Sequence, residues 1–69
     1  MSPLAKLVKE KRKVHKLTQE DLSRKSGLGL RLVREIEQGK TSMRMDKVNQ
    51  LLNLFGMELT PMTKSKSDE

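Results

Sequence analysis

The 69-residue sequence contains no cysteine, tryptophan or tyrosine, and it has one phenylalanine and one histidine. Without cysteine, neither a disulfide bond nor a thiolate metal site can stabilise a domain too small to bury a large core. With His15 as the one histidine, the sequence offers no metal-ligand cluster and no nucleophile–base pair except through His15 itself. The glycines also lack phosphate-loop spacing. We therefore expect no catalytic residues, no metal and no cofactor.

Long apolar runs are missing as well. No stretch approaches the roughly 18 apolar residues of a membrane span, and residues 1–6 lead into a lysine-rich segment without an export signal. Alternatively, the basic N-terminal segment could form a helix that lies on a membrane surface. The apolar face of such a helix would contain no aromatic residue, however, and it is needed to cover the core of the other helices. We expect a cytoplasmic protein with no membrane association, and liposome flotation would separate the two interpretations.

Positive charge is in excess. Fifteen Lys and Arg against nine Asp and Glu give a net charge of +6. The charges of residues 63–69 cancel, so the excess belongs to the preceding part of the chain. A small basic domain of this kind is typical of proteins that bind a polyanion.

The first apolar pattern predicts a helix over about residues 3–16, with Pro3 in its first turn. Its apolar face comprises Leu4, Leu7, Val8 and Val14. The opposite face carries six cations and a single glutamate, so this helix is both amphipathic and strongly basic.

Two short helices follow. Thr18 is a favourable N-cap, and Asp21 three residues later completes a capping box. Gly27 ends this second helix, since glycine readily adopts the left-handed conformation that follows a helix. Gly29 precedes the third helix, predicted over residues 30–38. Two helices joined by a tight glycine-containing turn are typical of a helix-turn-helix motif.

The last helix is predicted over about residues 44–55, and the hydrophobic periodicity changes after Gly56. The apolar stripe of this helix comprises Met45, Val48, Leu51, Leu52 and Phe55. Residues 57–60 alternate apolar and polar, which is the period of a β-strand. Residues 63–69 are too polar to bury any surface and predict a disordered tail.

The third helix has two unlike faces. Val33 and Ile36 point inward, whereas the opposite face carries Leu30, Arg31, Arg34, Glu35 and Gln38. In the major groove of DNA, arginine can bond guanine, glutamate can accept from cytosine, and an apolar side chain can meet a thymine methyl. The alternative is a solvated face with an i, i+4 ion pair, worth about 0.3–0.5 kcal/mol.

The segments "LTQEDLS", "GLGLRLVREIEQGK" and "MDKVNQLLNLFG" resemble, in order and spacing, the Cro/C1-type (XRE) helix-turn-helix family. The resemblance implies a bacterial, nucleoid-associated protein with a lambda-repressor-like fold that binds double-stranded DNA. The residues implied to read bases are Leu30, Arg31, Arg34 and Glu35. Those implied to bind phosphates are Thr18, Gln19, Gln38, Lys40 and Arg44.

The resemblance also implies a structural ion pair between Arg12 and Glu37, which we favour over a direct role of these residues at DNA. Two positions depart from the family pattern. Gly29 stands where Ser, Thr or Lys is usual, so a cap or a contact is lost. Arg44 replaces the usual Ser or Thr N-cap, which leaves the start of the fourth helix open by a residue or two.

The segment "FGMELTPM" places a strand where most of the family has a fifth helix, and this is similar to HipB-like antitoxins. That resemblance implies an autorepressor whose partner is a HipA-type serine/threonine kinase toxin. The alternative is a stand-alone repressor, phage-derived or chromosomal, with no toxin partner. The identity of the neighbouring gene would discriminate between them.

The predicted strand has no partner within the chain, and an unpaired strand leaves its backbone donors and acceptors unsatisfied. We therefore predict a homodimer in which two copies pair antiparallel about a twofold axis and bind a palindromic operator. The interface residues predicted are Leu54, Met57, Leu59 and Thr60. The alternative is an irregular segment that covers the domain's own core. The expected fold is an all-α, four-helix helix-turn-helix domain over residues 3–62 with a C-terminal dimerisation strand.

Overall fold

A computed structural model of the chain describes residues 2–40 and 42–60. Within these ranges the protein consists of four α-helices followed by a single 3₁₀ turn. The helices are α1 (Pro3–Val14), α2 (Gln19–Ser26), α3 (Leu30–Glu37) and α4 (Met45–Leu52), and the 3₁₀ turn is Asn53–Phe55. The predicted small helical architecture is therefore confirmed. The predicted tail, residues 63–69, lies outside the described residues.

The helices begin and end where local chemistry favours it. Ser2 caps α1, its Oγ accepting a hydrogen bond of 3.1 Å from the N–H of Ala5. The capping box predicted at the start of α2 is present, because Thr18 and Asp21 each accept a hydrogen bond from the other's backbone N–H, at 3.0 and 2.9 Å. Gly27 ends α2 with φ of 80°. These caps satisfy backbone groups that a helix end leaves unpaired.

The core is a single cluster to which every helix contributes. Its buried apolar residues are Val8, Leu22, Leu28, Val33, Ile36, Val48, Leu51 and Leu52. Helix α3 packs mainly on α1 and α2, and α2 also contacts α4. This packing supports α3 from two sides and leaves its remaining face to solvent.

Two predictions about the core are wrong. Val14 was expected on the apolar face of α1 and Met45 on the stripe of α4, yet they are 72% and 63% exposed. Val14 is the last residue of α1 and Met45 is the first residue of α4. At these helix ends the neighbouring helices no longer cover the apolar face, so the periodicity continues beyond the core.

The segment after Gly56 forms no regular secondary structure in the single chain, and no strand occurs within residues 2–40 and 42–60. Met57 packs against the core, and the N–H of Leu59 donates a hydrogen bond of 2.7 Å to Oδ1 of Asn49. Leu59 itself is 37% exposed. A strand formed with a second copy stays a prediction.

Candidate nucleic-acid interface

The outward face of α3 carries two exposed arginines. The side chain of Arg31 is 93% exposed, and Arg34 is also exposed. On the opposite face Val33 and Ile36 are fixed in the core. Since one face of the helix is immobilised by packing, the other presents its side chains in a defined orientation. An α-helix with such a face fits the major groove of DNA.

Two other predicted base readers are less accessible. Leu30 is half-buried at the border between the two faces of α3. The side chain of Glu35 is 24% exposed, and its Oε2 lies 3.5 Å from Nε of Arg31 and 3.4 Å from Nζ of Lys40. The structure thus brings three predicted DNA-contacting residues, Arg31, Glu35 and Lys40, into one cluster.

The last residue of α3 is a buried carboxylate. Glu37 is 1% exposed and accepts hydrogen bonds from Nε and Nη2 of Arg12, at 2.7 and 3.1 Å. A third hydrogen bond of 3.1 Å comes from Nε2 of Gln19. Nη1 of Arg12 also donates a hydrogen bond of 3.1 Å to the carbonyl oxygen of Leu17. These hydrogen bonds fix the C-terminal end of α3 against α1 and the start of α2.

The residues predicted to bind phosphates differ in how they are engaged. Gln38 and Lys40 are exposed beyond the end of α3. Arg44 is exposed but forms two hydrogen bonds with the carboxylate of Asp46, at 2.8 and 3.1 Å. Gln19 is half-buried and its amide is directed toward Glu37. Gln38 is therefore exposed beside α3, whereas Lys40 and Arg44 are exposed but each lies against a carboxylate, that of Glu35 or of Asp46.

The start of α2 carries an acid close to the predicted phosphate contacts. Hydrogen bonds from the backbone and hydroxyl of Thr18 lower the pKa of Asp21, and Arg24 lowers it further. Asp21 is therefore ionised at neutral pH and remains an acceptor for the cap. Thr18 is exposed at this position.

The residues predicted for the dimer interface are divided between two separate hollows, of which the second is the more apolar. Leu54 lines a hollow of about 360 Å³ formed with His15, Leu17, Lys25 and Phe55. Met57, Leu59 and Thr60 line a separate groove of about 430 Å³ together with Pro3, Leu4, Leu7, Leu52 and Glu58. The structure does not bring Leu54 into the groove with the others.

His15 follows the last residue of α1 as its C-cap. In the structure its ring stacks on Phe55, with ring centroids 5.3 Å apart and an interplanar angle of 30°. The one histidine and the one aromatic side chain of the chain are thus paired with each other.

Sequence reasoning did not identify the contacts that hold the turn of the motif. The carbonyl oxygen of Ser26 accepts a hydrogen bond of 2.8 Å from Nε2 of Gln50, and that of Leu28 accepts one of 2.6 Å from Oγ of Ser23. Ser26 is buried. The sequence carries no signal that pairs Ser26 with Gln50.

Within residues 2–40 and 42–60, no group of three or more acidic, histidine or cysteine side chains is arranged to hold a metal ion. No helix in the same part of the chain is both long and apolar enough to cross a membrane.

Comparison with known proteins agrees with the geometry. A family model described as helix-turn-helix, of the XRE type, matches residues 8–61. No curated protein and no solved structure matches the chain. The family match covers α2, the turn and α3 together with α4, which are the elements that form the candidate interface. The chain belongs to the XRE-type helix-turn-helix family and is a DNA-binding transcription regulator.

Proposed function

We propose that the protein is a sequence-specific repressor whose helix α3 enters the major groove of a palindromic operator. The observation that carries this proposal is the pair of exposed arginines on one face of α3, opposite a face buried in the core. Arginine can bond the O6 and N7 acceptors of guanine together, and such a contact discriminates between bases by about 1–3 kcal/mol. Arg31 and Arg34 are therefore assigned as base readers, with Leu30 and Glu35 beside them.

Phosphate contacts position the helix in the groove. Gln38 and Lys40 follow α3 directly, while Thr18 and Gln19 lie at the start of α2, whose N-terminal end favours an anion. Arg44 at the start of α4 joins them if it exchanges Asp46 for a phosphate. Contacts of this kind set affinity and orientation but do not read sequence.

Arginine and lysine variants test the assignment. An operator is first selected by the wild-type chain from a pool of random duplexes, and binding to it is then compared with binding to a random duplex. Arg31→Ala and Arg34→Ala should each cost about 1–3 kcal/mol on the operator and relax preference at one base pair. Lys40→Ala should weaken both duplexes alike. Equal losses on both duplexes for the two arginine variants would show that α3 does not read bases.

We further propose that the protein acts as an HipB-like antitoxin that represses its own operon and binds a HipA-type kinase. The support is the resemblance of "REIEQGK", "MDKVNQLLNLFGMEL" and "FGMELTPM" to that subgroup. The kinase would contact the helical surface away from DNA or the tail after residue 62. Both the antitoxin and the alternative stand-alone repressor require the same α3.

The neighbouring gene decides between these two repressors. If the chain is an antitoxin, the product of the adjacent gene should co-purify with it and should be inactive as a kinase while bound. A gene that stands by itself, with no kinase recovered by the tagged chain, would favour the stand-alone repressor.

The repressor is proposed to act as a homodimer. Met57, Leu59 and Thr60 line one apolar groove, which leaves an aliphatic surface that a second copy can cover. Two copies of α3 about 34 Å apart would then meet successive turns of the major groove.

A further inference from the structure

Glu35 is held between two cations on the surface proposed to face DNA. Its Oε2 lies 3.5 Å from Nε of Arg31, one helical turn earlier, and 3.4 Å from Nζ of Lys40, just beyond α3. The side chains of Arg31 and Lys40 are 93% and 49% exposed, whereas that of Glu35 is 24% exposed. One carboxylate oxygen therefore engages both a proposed base reader and a proposed phosphate ligand.

These contacts are weak enough to exchange for others. Exposed ion pairs usually contribute about 0–1 kcal/mol. In a helix, an arginine four residues before a glutamate is also the less favourable order of the two charges. Acceptor groups on DNA can therefore draw Arg31 and Lys40 away from Glu35. The free-energy cost of this exchange depends on which new partner the Glu35 carboxylate finds.

We propose that Glu35 is a specificity-determining residue that withholds Arg31 and Lys40 from DNA of the wrong sequence. This inference rests on the proposed entry of α3 into the major groove. On a random duplex, Arg31 and Lys40 reach phosphates only by leaving Glu35. The carboxylate then faces a polyanion with no donor in place of the two cations. The cluster thus disfavours non-specific binding, which is one way in which a protein discriminates between partners.

The operator removes this cost. A cytosine at the right position presents its N4 amino group to Glu35, and a guanine presents O6 and N7 to Arg31. Both members of the i, i+4 pair then gain replacement partners, while Lys40 is released to a phosphate. Glu35 consequently weakens binding to random DNA more than it weakens binding to the operator.

Arg34 provides an internal contrast. It is exposed on the same face of α3, and no ion pair of Arg34 occurs within residues 2–40 and 42–60. Its contact with DNA should therefore be independent of Glu35, whereas those of Arg31 and Lys40 depend on it.

The test is Glu35→Gln in the full chain, measured by fluorescence anisotropy on a random duplex and on the operator selected by the wild type. We expect affinity for the random duplex to rise about 2–5-fold, since an exposed ion pair worth up to about 1 kcal/mol no longer has to be broken. The specificity ratio should fall. The plot of log K against log salt should steepen by about one to two units as Arg31 and Lys40 gain phosphates. Glu10→Gln, the same charge change on the exposed side of α1, is the matched control and should leave the specificity ratio unchanged.

A second variant background distinguishes the loss of the Glu35 ion pairs from the simple loss of a negative charge near DNA. In a chain that already carries Arg31→Ala and Lys40→Ala, Glu35→Gln should give a smaller gain on random DNA than in the wild-type background, because no ion pair is left to release and only the repulsion between the carboxylate and DNA is removed. An equal gain in both backgrounds would overturn the proposal, because Glu35 would then act through its charge on DNA only. Unchanged affinity and salt slope in the single Glu35→Gln variant would also overturn it.

Folding and the underlying function are tested separately from this inference. Circular-dichroism melting establishes that each variant is folded, and Glu35→Asp, which keeps the charge on a shorter arm, should also loosen the cluster and raise affinity for random DNA. A wild-type chain that selects no duplex from the pool would refute the proposed function itself. A wild-type chain that selects an operator while Glu35→Gln behaves as Glu10→Gln would refute only the role of Glu35.

Discussion

At the scale of single residues, the most consequential group is the buried carboxylate of Glu37. A buried charge is tolerated only where it is paired and hydrogen-bonded, and Glu37 receives three hydrogen bonds from Arg12 and Gln19. Every buried side-chain nitrogen or oxygen in residues 2–40 and 42–60 has a hydrogen-bond partner. Because Glu37 ends α3, its pairing with Arg12 holds the proposed recognition helix against α1.

Substitution of Arg12 should show how much the fold depends on the pairing of Glu37. In Arg12→Met, the carboxylate of Glu37 keeps only the hydrogen bond from Gln19, and loss of one partner from a buried pair costs about 3–5 kcal/mol. The side chain of Arg12 is 17% exposed, so we expect a loss near the lower end of this range. Urea unfolding followed by circular dichroism measures it.

Arg24→Met is the matched control for that experiment. Arg24 also pairs with a carboxylate, that of Asp21, but its side chain is 70% exposed. A surface pair of this kind contributes about 0–1 kcal/mol. Equal losses of unfolding free energy for Arg12→Met and Arg24→Met would contradict the structural role assigned to the Arg12–Glu37 pair.

At the scale of elements, the turn between α2 and α3 sets the angle at which the proposed recognition helix leaves the domain. Gly27 has φ of 80°, and a Cβ added there would lie 3.1 Å from Nε2 of Gln50. That amide nitrogen is itself held 2.8 Å from the carbonyl oxygen of Ser26. Gly29, two residues later, has φ of −67° and no neighbour within 4 Å of an added Cβ.

The same substitution at these two glycines should therefore have opposite effects. Gly27→Ser forces a side chain into the left-handed region, at a cost of roughly 1–2 kcal/mol before the contact with Gln50 is counted. Gly29→Ser supplies the side-chain cap that α3 lacks and should stabilise the fold by a few tenths of a kcal/mol. Thermal unfolding of both variants checks this difference in sign. A loss of stability in Gly29→Ser equal to that in Gly27→Ser would show that the turn tolerates neither.

The elements also show what the sequence can and cannot predict. Capping residues and left-handed glycines act locally, so the start of α2 at Thr18 and its end at Gly27 were predictable from a few neighbouring residues. Exposure of Val14 and Met45 was not, because periodicity does not report where a neighbouring helix stops covering a face. The hydrogen bond from Gln50 to Ser26 joins residues 24 positions apart, and nothing local in the sequence pairs them.

The candidate site divides in the same way. Outward placement of Arg31 and Arg34 follows from helical periodicity. The ion pair between Lys40 and Glu35 depends on the direction that the chain takes after α3, where Gly39 has φ of 82°. The direction of Gln19 toward Glu37 depends on tertiary packing. Neither can be obtained from the pattern of α2 or α3 considered separately.

At the scale of the whole molecule, the surface proposed for dimerisation is the apolar groove lined by Met57 and Leu59. A domain of this size buries only about 60% of the surface of its unfolded chain, so a second copy that covers the groove would add to stability. In a dimer, residues 57–60 of two copies would pair as a two-stranded ribbon about a twofold axis.

Leu59→Glu tests the dimer with less disturbance than a truncation, since Met57 packs on the core and must be kept. The variant should be monomeric in sedimentation equilibrium and should lose tight binding to a palindrome, because a charge is placed in the apolar groove. Val14→Glu changes an exposed aliphatic residue outside the groove and should leave the oligomeric state unchanged. A Leu59→Glu chain that remains dimeric would exclude this interface.

The central claim is that the outward face of α3 is the surface that meets DNA. The most direct measurement is a titration of the isotope-labelled chain with its selected operator, followed by backbone amide chemical shifts in NMR spectra. The account predicts the largest changes at Arg31, Arg34 and Gln38 and at the start of α2, with small changes along the exposed lysines of α1. The largest changes along α1, with residues 30–38 unaffected, would contradict it.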